Sequence, residues 1–177
     1  METDYLKYID TVDTTELHNL ITLYGDDVWG YAYAITKNRE QAKDIAQEAF
    51  IKAYYKIHTF RGQSSFKTWL FAITRNLALN ELKSSYFRRI LLFEKVNNQD
   101  VAQSAEAAYL HNQSTAEIWG IIMKLSVKLR EVLVLDLEHD LTIQEIANLL
   151  GLAEGTVKSR LFRARRAVEK EWKNREE

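Results

Sequence analysis

The chain has 177 residues, with 24 Lys/Arg against 25 Asp/Glu and 46% hydrophobic residues, and its length fits one globular domain or two small ones. It has no cysteine, so disulfides and cysteine-ligated zinc are excluded, as suits a reducing cytoplasm. It also has no proline, where average usage of about 5% predicts several, so helices can run long and no polyproline linker is expected.

Met1 to Asp13 carries neither a basic leader nor an apolar core, and no run approaches the roughly 18 apolar residues of a membrane span. A cytoplasmic protein without membrane insertion is expected. Residues 14–36 read as a first helix, with Leu17, Leu20, Ile21, Tyr24, Val28, Tyr31 and Ile35 on its apolar stripe. Asn38 to Ile57 reads as a second. Its buried face is expected to hold Ile45, Ala49, Phe50, Ala53 and Ile57, while Asp44, Gln47, Glu48 and Ile51 share a mostly polar face. That face suits either solvent or a partner.

A third helix is predicted over Ser65 to Tyr86, with Phe66, Leu70, Ile73 and Leu77 in the core. Lys67, Phe71 and Arg75 follow at four-residue steps, and Trp69, Asn76, Asn80 and Lys83 line another flank. Cations interleaved with aromatics and amides suit single-stranded DNA: rings stack on unpaired bases, amides bond base edges and cations hold phosphate. Trp69 is equally readable as core. From Asn97 to Thr115 the composition turns to Asn, Gln, Ser and Ala with few large apolar residues, which marks a linker. Ile118 to Leu137 resumes helical patterning.

Thr142 to Lys170 is the most informative stretch. Thr142 and Glu145 have capping-box spacing, Ile143, Ile146, Ala147 and Leu150 share one face, and Gly151 falls where a left-handed residue ends a helix. A second helix then sets Val157, Leu161, Ala164, Val168 and Trp172 along an apolar stripe and directs Lys158, Ser159, Arg160, Arg163, Arg165 and Arg166 elsewhere. Small Ala147, the glycine turn and the Val157 anchor together are how a helix-turn-helix holds a recognition helix, whereas an isolated basic helix is usually just solvated.

Charge is unevenly distributed along the chain. Residues 61–95 carry seven Lys/Arg against two Asp/Glu and residues 156–177 carry eight against four, while residues 1–60 and 96–155 are acidic. Phosphate attraction is screened beyond about 8 to 10 Å, so two basic blocks suit a protein touching nucleic acid at two separate places.

The blocks Asp44-Ile45-Ala46-Gln47-Glu48-Ala49-Phe50, Phe60-Arg61-Gly62, Phe66-Lys67-Thr68-Trp69-Leu70 and Gly155-Thr156-Val157-Lys158-Ser159-Arg160 resemble, in order, those of bacterial sigma factors of the extracytoplasmic-function group in the sigma-70 family. The resemblance implies two small helical domains: residues 1–90, which bind polymerase and recognise and melt the minus-ten element, and residues 115–177, whose helix-turn-helix recognises the minus-thirty-five element, with a linker at 91–114 between them. It implies that Asp44, Gln47, Glu48 and Ile51 dock on the clamp helices of the largest subunit of core RNA polymerase, with a further contact at the flap. Arg61, Gly62, Gln63, Ser64 and Ser65 match the loop that captures a flipped base, and Lys67, Trp69, Arg75, Asn76 and Asn80 match the adjoining strand-contacting helix. Thr156, Lys158, Ser159, Arg160, Arg163, Arg165 and Arg166 match the reader of duplex DNA. An anti-sigma protein is the implied regulator. Ala153 and Val127 depart from the group's habits, standing where proline or serine often opens the recognition helix and where proline often precedes the arginine corresponding to Arg130.

The expected function is therefore a transcription initiation factor that carries core polymerase to specific promoters and melts the minus-ten element. A helix-turn-helix repressor or response regulator acting without polymerase would account for the C-terminal half but not for the Asp44 to Phe50 face. No catalytic residue, cofactor or metal is expected: His18, His58, His111 and His139 lack HExxH spacing, and no P-loop, GxGxxG or GxSxG occurs.

Overall fold

The computed structural model describes residues 14–92 and 113–176, which form helices joined by short connections, with no strand among them. Helix α1 spans Thr14–Thr36, α2 Arg39–Lys56 and α3 Phe66–Leu92, with a single 3-10 turn at Ile57–Thr59. After the gap come α4 (Gln113–Ile122), α5 (Val127–Leu137), α6 (Ile143–Leu150) and α7 (Glu154–Glu176).

Local chemistry sets the first corner. Lys37 ends α1 at φ 58°, a left-handed position, and its amide donates to the Tyr33 carbonyl at 2.9 Å. Asn38 then caps α2 in an extended conformation, its side chain accepting from the Gln41 amide at 3.0 Å. Helices α1, α2 and α3 pack pairwise on one another around Tyr24, Val28, Tyr31, Ile35, Ala49, Phe50, Phe66 and Leu70, all buried. The stripe expected on α1 is the buried one, except that Leu17 is half-buried and Ile21 is 42% exposed.

Two expectations need correction. The continuous patterning from Ile118 to Leu137 is divided into two helices: the chain turns at Met123 to Ser126, where the Lys124 and Leu125 amides donate to Ile121 and Ile122, and extended Ser126 (φ −61°, ψ 150°) starts α5. Half-buried Met123, Leu125 and Val127 carry the apolar pattern through this corner while Lys124 and Ser126 are exposed, so periodicity alone did not reveal it. In addition, α3 runs to Leu92 rather than Tyr86. Most of the expected linker lies outside the described residues.

Helices α5, α6 and α7 pack on one another, with α4 against α7. The two groups of helices also meet, α5 on α1 and α6 on α3, so buried residues form one continuous core. No described helix is long and apolar enough to cross a membrane.

Candidate nucleic-acid interface

The α6–turn–α7 unit is built as its residues require. Thr142 is extended (φ −64°, ψ 157°) and its hydroxyl accepts from the Glu145 amide at 3.3 Å, while the Glu145 carboxylate accepts from the Thr142 amide at 2.9 Å. Gly151 closes α6 at φ 65°, ψ 42°, and the Leu152 amide returns to the Ala147 carbonyl at 2.9 Å. Ile146, Ala147 and Leu150 of α6 and Val157, Leu161 and Ala164 of α7 are all buried, and the two helices pack together.

That burial turns the basic side of α7 outward. Lys158, Ser159, Arg163, Arg165 and Arg166 are exposed, and Thr156 and Arg160 are half-buried. The cations are partly arranged already: Arg163 Nε donates to the Ser159 carbonyl at 3.2 Å, Arg165 pairs with Asp136 of α5 at 2.7 Å, and Lys158 lies 4.0 Å from Glu154. Arg166 sits over the ring of Phe162, 5.7 Å from its centroid. Phe162 is 62% exposed on this basic face and was passed over in the sequence, where it breaks neither the apolar stripe nor the charge run.

The second basic region begins at the loop before α3. Gly62 has φ 67°, so the turn uses a left-handed residue; Arg61, Gln63 and Ser65 are exposed and Ser64 half-buried. The Ser65 hydroxyl accepts from the Thr68 amide at 3.0 Å and so starts α3. Trp69 is half-buried, its ring 5.5 Å from both Phe60 and Phe66, which resolves the ambiguity of its sequence position: it packs on the core and still reaches the surface. Asn76 and Asn80 are exposed.

The other flank of α3 differs from its expected open state. Phe71 is fully buried, with its centroid 4.9 Å from Tyr31 and 4.5 Å from His139. Lys67 pairs with Asp27 at 2.7 Å, and Arg75 Nε donates to Glu131 at 2.6 Å. Burial pushes the Asp27 carboxyl up, but the His139 and Lys67 side chains beside it outweigh that and hold it below its ordinary value. So the structure groups Arg61, Gln63, Ser65, Asn76 and Asn80 as exposed positions and separates Lys67, Phe71 and Arg75 from them, because α5 and the loop after it cover that side.

On α2, Asp44, Gln47, Glu48 and Ile51 are all exposed, with Ile51 at 54%, opposite the buried Ala42, Ile45, Ala49 and Ala53. Glu48 pairs with Lys52 at 2.8 Å. Ile51 and Gln47 border a groove of about 360 Å³ floored by Leu17, Ile21, Gly25, Trp29, Ala46 and Phe50. Among the described residues no cluster of three or more His, Asp or Glu is placed to hold a metal ion.

These features define a helical protein with a helix-turn-helix that turns a basic helix face outward, a second set of exposed polar positions on α3 and the loop before it, and an amphipathic helix whose polar face is free of the core. Sigma-70 region 2 matches residues 20–87 and sigma-70 region 4 matches residues 115–168. The RNA polymerase sigma-H factor of Pseudomonas aeruginosa is 34% identical over 85% of this chain and 83% of its own, and the extracytoplasmic-function sigma factor SigW of Bacillus subtilis is 30% identical over 94% of each. Among solved structures, the sigma factor RpoE of Bartonella quintana in complex with the anti-sigma factor NepR superposes with a TM-score of 0.71 at 23% identity, covering 90% of this chain and 98% of that one. The chain belongs to the sigma-70 family, among its extracytoplasmic-function members. It is a promoter-directing transcription initiation factor for RNA polymerase and not an enzyme, and a repressor acting without polymerase is not favoured.

Proposed function

We propose that three surfaces divide the work of initiation, in the cytoplasm where polymerase acts. Asp44, Gln47, Glu48 and Ile51 on α2 dock on the clamp helices of the largest polymerase subunit, with a flap contact from the C-terminal domain (residues 115–177). The loop of Arg61, Gly62, Gln63, Ser64 and Ser65 takes a flipped minus-ten base, and Lys67, Trp69, Arg75, Asn76 and Asn80 follow the melted strand. On α7, Arg163, Arg165 and Arg166 neutralise phosphates and position the helix, while Thr156, Lys158, Ser159 and Arg160, near its start, approach base edges in the major groove. The N-terminal domain is residues 1–90 and the linker 91–114.

The observation that carries this reading is the exposure of the polar face of α2 directly opposite its buried face, since a freestanding repressor has no use for it. With a net charge of −1, the chain's own affinity for DNA is weak. Tethering both domains to polymerase raises their effective concentration and makes them act together. An anti-sigma protein covering these surfaces would regulate it, as the solved relative in complex with one suggests.

The test is transcription of a genomic DNA library by core polymerase with and without the protein, followed by sequencing of RNA starts. The expected result is a set of starts sharing a two-part upstream motif, lost with Asp44→Ala and Glu48→Ala together. Polymerase binding that was unchanged in that double variant would overturn the docking assignment. Arg160→Ala should change promoter preference by about 1 to 3 kcal/mol, and a uniform loss across all sequences would instead make Arg160 a phosphate contact.

A further inference from the structure

Two exposed aromatic side chains stand together near the end of α3: Tyr86 is 61% and Phe87 63% exposed, with ring centroids 6.2 Å apart at 71°. Adjacent exposed rings of this size mark a contact surface. Their place on the helix assigns the partner. At about 100° per residue, Trp69, Asn76, Asn80, Lys83 and Phe87 fall within one stripe of roughly 60°, about 27 Å long at about 1.5 Å per residue. All are exposed except half-buried Trp69.

The opposite side of the same turns is held. Gln41 Nε2, at the start of α2, donates to Glu81 Oε1 at 3.1 Å and to Ser85 Oγ at 3.3 Å, and the Ser85 hydroxyl donates to Glu81 at 2.8 Å. These bonds fix the roll of α3 so that Lys83 and Phe87 face away from α2. They also turn Glu81, the only carboxylate within α3, away from the stripe, whose one charged member is Lys83. The cover over Phe71 and Arg75 lies on another side of the helix and leaves the stripe open.

A ring at each end with two amides and a cation between them is the chemistry of a single-stranded nucleic-acid site, because paired bases already have both faces stacked on neighbours and offer none to a side chain. Tyr86 and Phe87 meet edge to face, so ring faces stay available to a base. We propose that Tyr86 and Phe87 form a base-stacking subsite for single-stranded DNA at the end of α3 remote from the loop of Arg61 to Ser65, so that strand contact continues past Asn80 along the whole helix. Lys83 holds a phosphate between the last amide and the rings. The inference deepens the reading of Trp69, Asn76 and Asn80 as strand contacts and rests on it. The stripe spans at most about eight nucleotides at the ~3.4 Å spacing of a stacked strand, and fewer when the strand is drawn out.

The test uses the full chain, whose stripe is exposed without polymerase, and a fluorescent oligothymidylate of about eight nucleotides at low salt, where phosphate attraction is strongest and stacking needs no particular sequence. Phe87→Leu keeps apolar bulk and removes the ring. Anisotropy should show it weakening binding by about fivefold or more, the low end for one lost stacked base, while Phe87→Trp binds at least as tightly as the parent. Binding to duplex DNA should be unchanged in both. Equal binding by Phe87→Leu and the parent would overturn the subsite, as would no binding by the parent at all. Weaker binding of Phe87→Leu to core polymerase, with the oligonucleotide unaffected, would make the ring pair a polymerase contact and overturn it too. Asn80→Ala separates this result from the wider reading: if it weakens oligonucleotide binding and Phe87→Leu does not, the subsite alone fails, whereas if neither does, α3 is not the strand-binding helix.

Discussion

Gly151→Ala should destabilise the protein by about 1 to 2 kcal/mol, the usual cost of placing an L side chain in the left-handed region. Space is not the reason, because a Cβ at this position meets nothing within 4 Å. The cost comes from φ 65° alone. Gly120 supplies the control: it lies inside α4, has no left-handed φ, and a Cβ there also meets nothing within 4 Å. Gly120→Ala should therefore stabilise by up to about 1 kcal/mol, the difference in helix propensity. The same chemical change gives opposite signs at two equally open sites. Thermal and urea unfolding of both variants measure it, at about 2 to 4 °C per kcal/mol for a chain of this size. Shifts of the same sign, or a neutral Gly151→Ala, would falsify the left-handed closure of α6 on which the aim of α7 depends. Asparagine at 151, which tolerates this region better, should recover part of the loss.

Thr142→Ala removes the hydroxyl that caps α6 and should cost about 1 kcal/mol in urea unfolding, with weaker binding of minus-thirty-five duplex only to the extent that α6 frays. Phe71→Ala opens a cavity beneath Tyr31 and His139 and should cost about 3 to 5 kcal/mol, which denaturation midpoints would show; a loss under about 1 kcal/mol would mean that the ring is not enclosed in solution. Because Asp27 titrates below its ordinary value when folded, it contributes stability that is fully present above that ordinary value and is lost as pH falls through the folded one. Urea midpoints taken between roughly pH 6 and pH 3 should fall less steeply for Asp27→Asn than for the parent.

What could be read from the sequence was what depends on near neighbours. The Thr142–Glu145 box, the Gly151 stop and the Val157 stripe are separated by three to six residues from the groups they serve, and each is found where its spacing placed it. The same holds for the buried face of α2. The corner at Met123 to Ser126 was illegible because Leu125 and Val127 continue the apolar pattern through it, and Lys124 and Ser126 are polar residues that an amphipathic helix also carries. Lys67, Phe71 and Arg75 were correctly grouped on one face, but whether that face is open is decided by Glu131, 56 residues beyond Arg75, and by His139. Arginine is among the residues least often fully buried, so nothing near Arg130 in the sequence announces its position.

Burial does not leave Arg130 neutral. Removal from water lowers its affinity for the proton to a pKa of about 10, against the opposing pull of Glu131, yet it stays protonated at neutral pH and donates to backbone carbonyls from both halves of the protein. The carbonyls of Ala34 and Ile35, which accept from its Nε and Nη2, belong to the last turn of α1, where a helix has no amide donors of its own left to bond them. A helix of the first half is thus finished by a side chain of the second. The two halves consequently share folding free energy: the first should unfold at a lower denaturant concentration when cut from the second, and the intact chain should melt in one transition where a beads-on-a-string protein would melt in two.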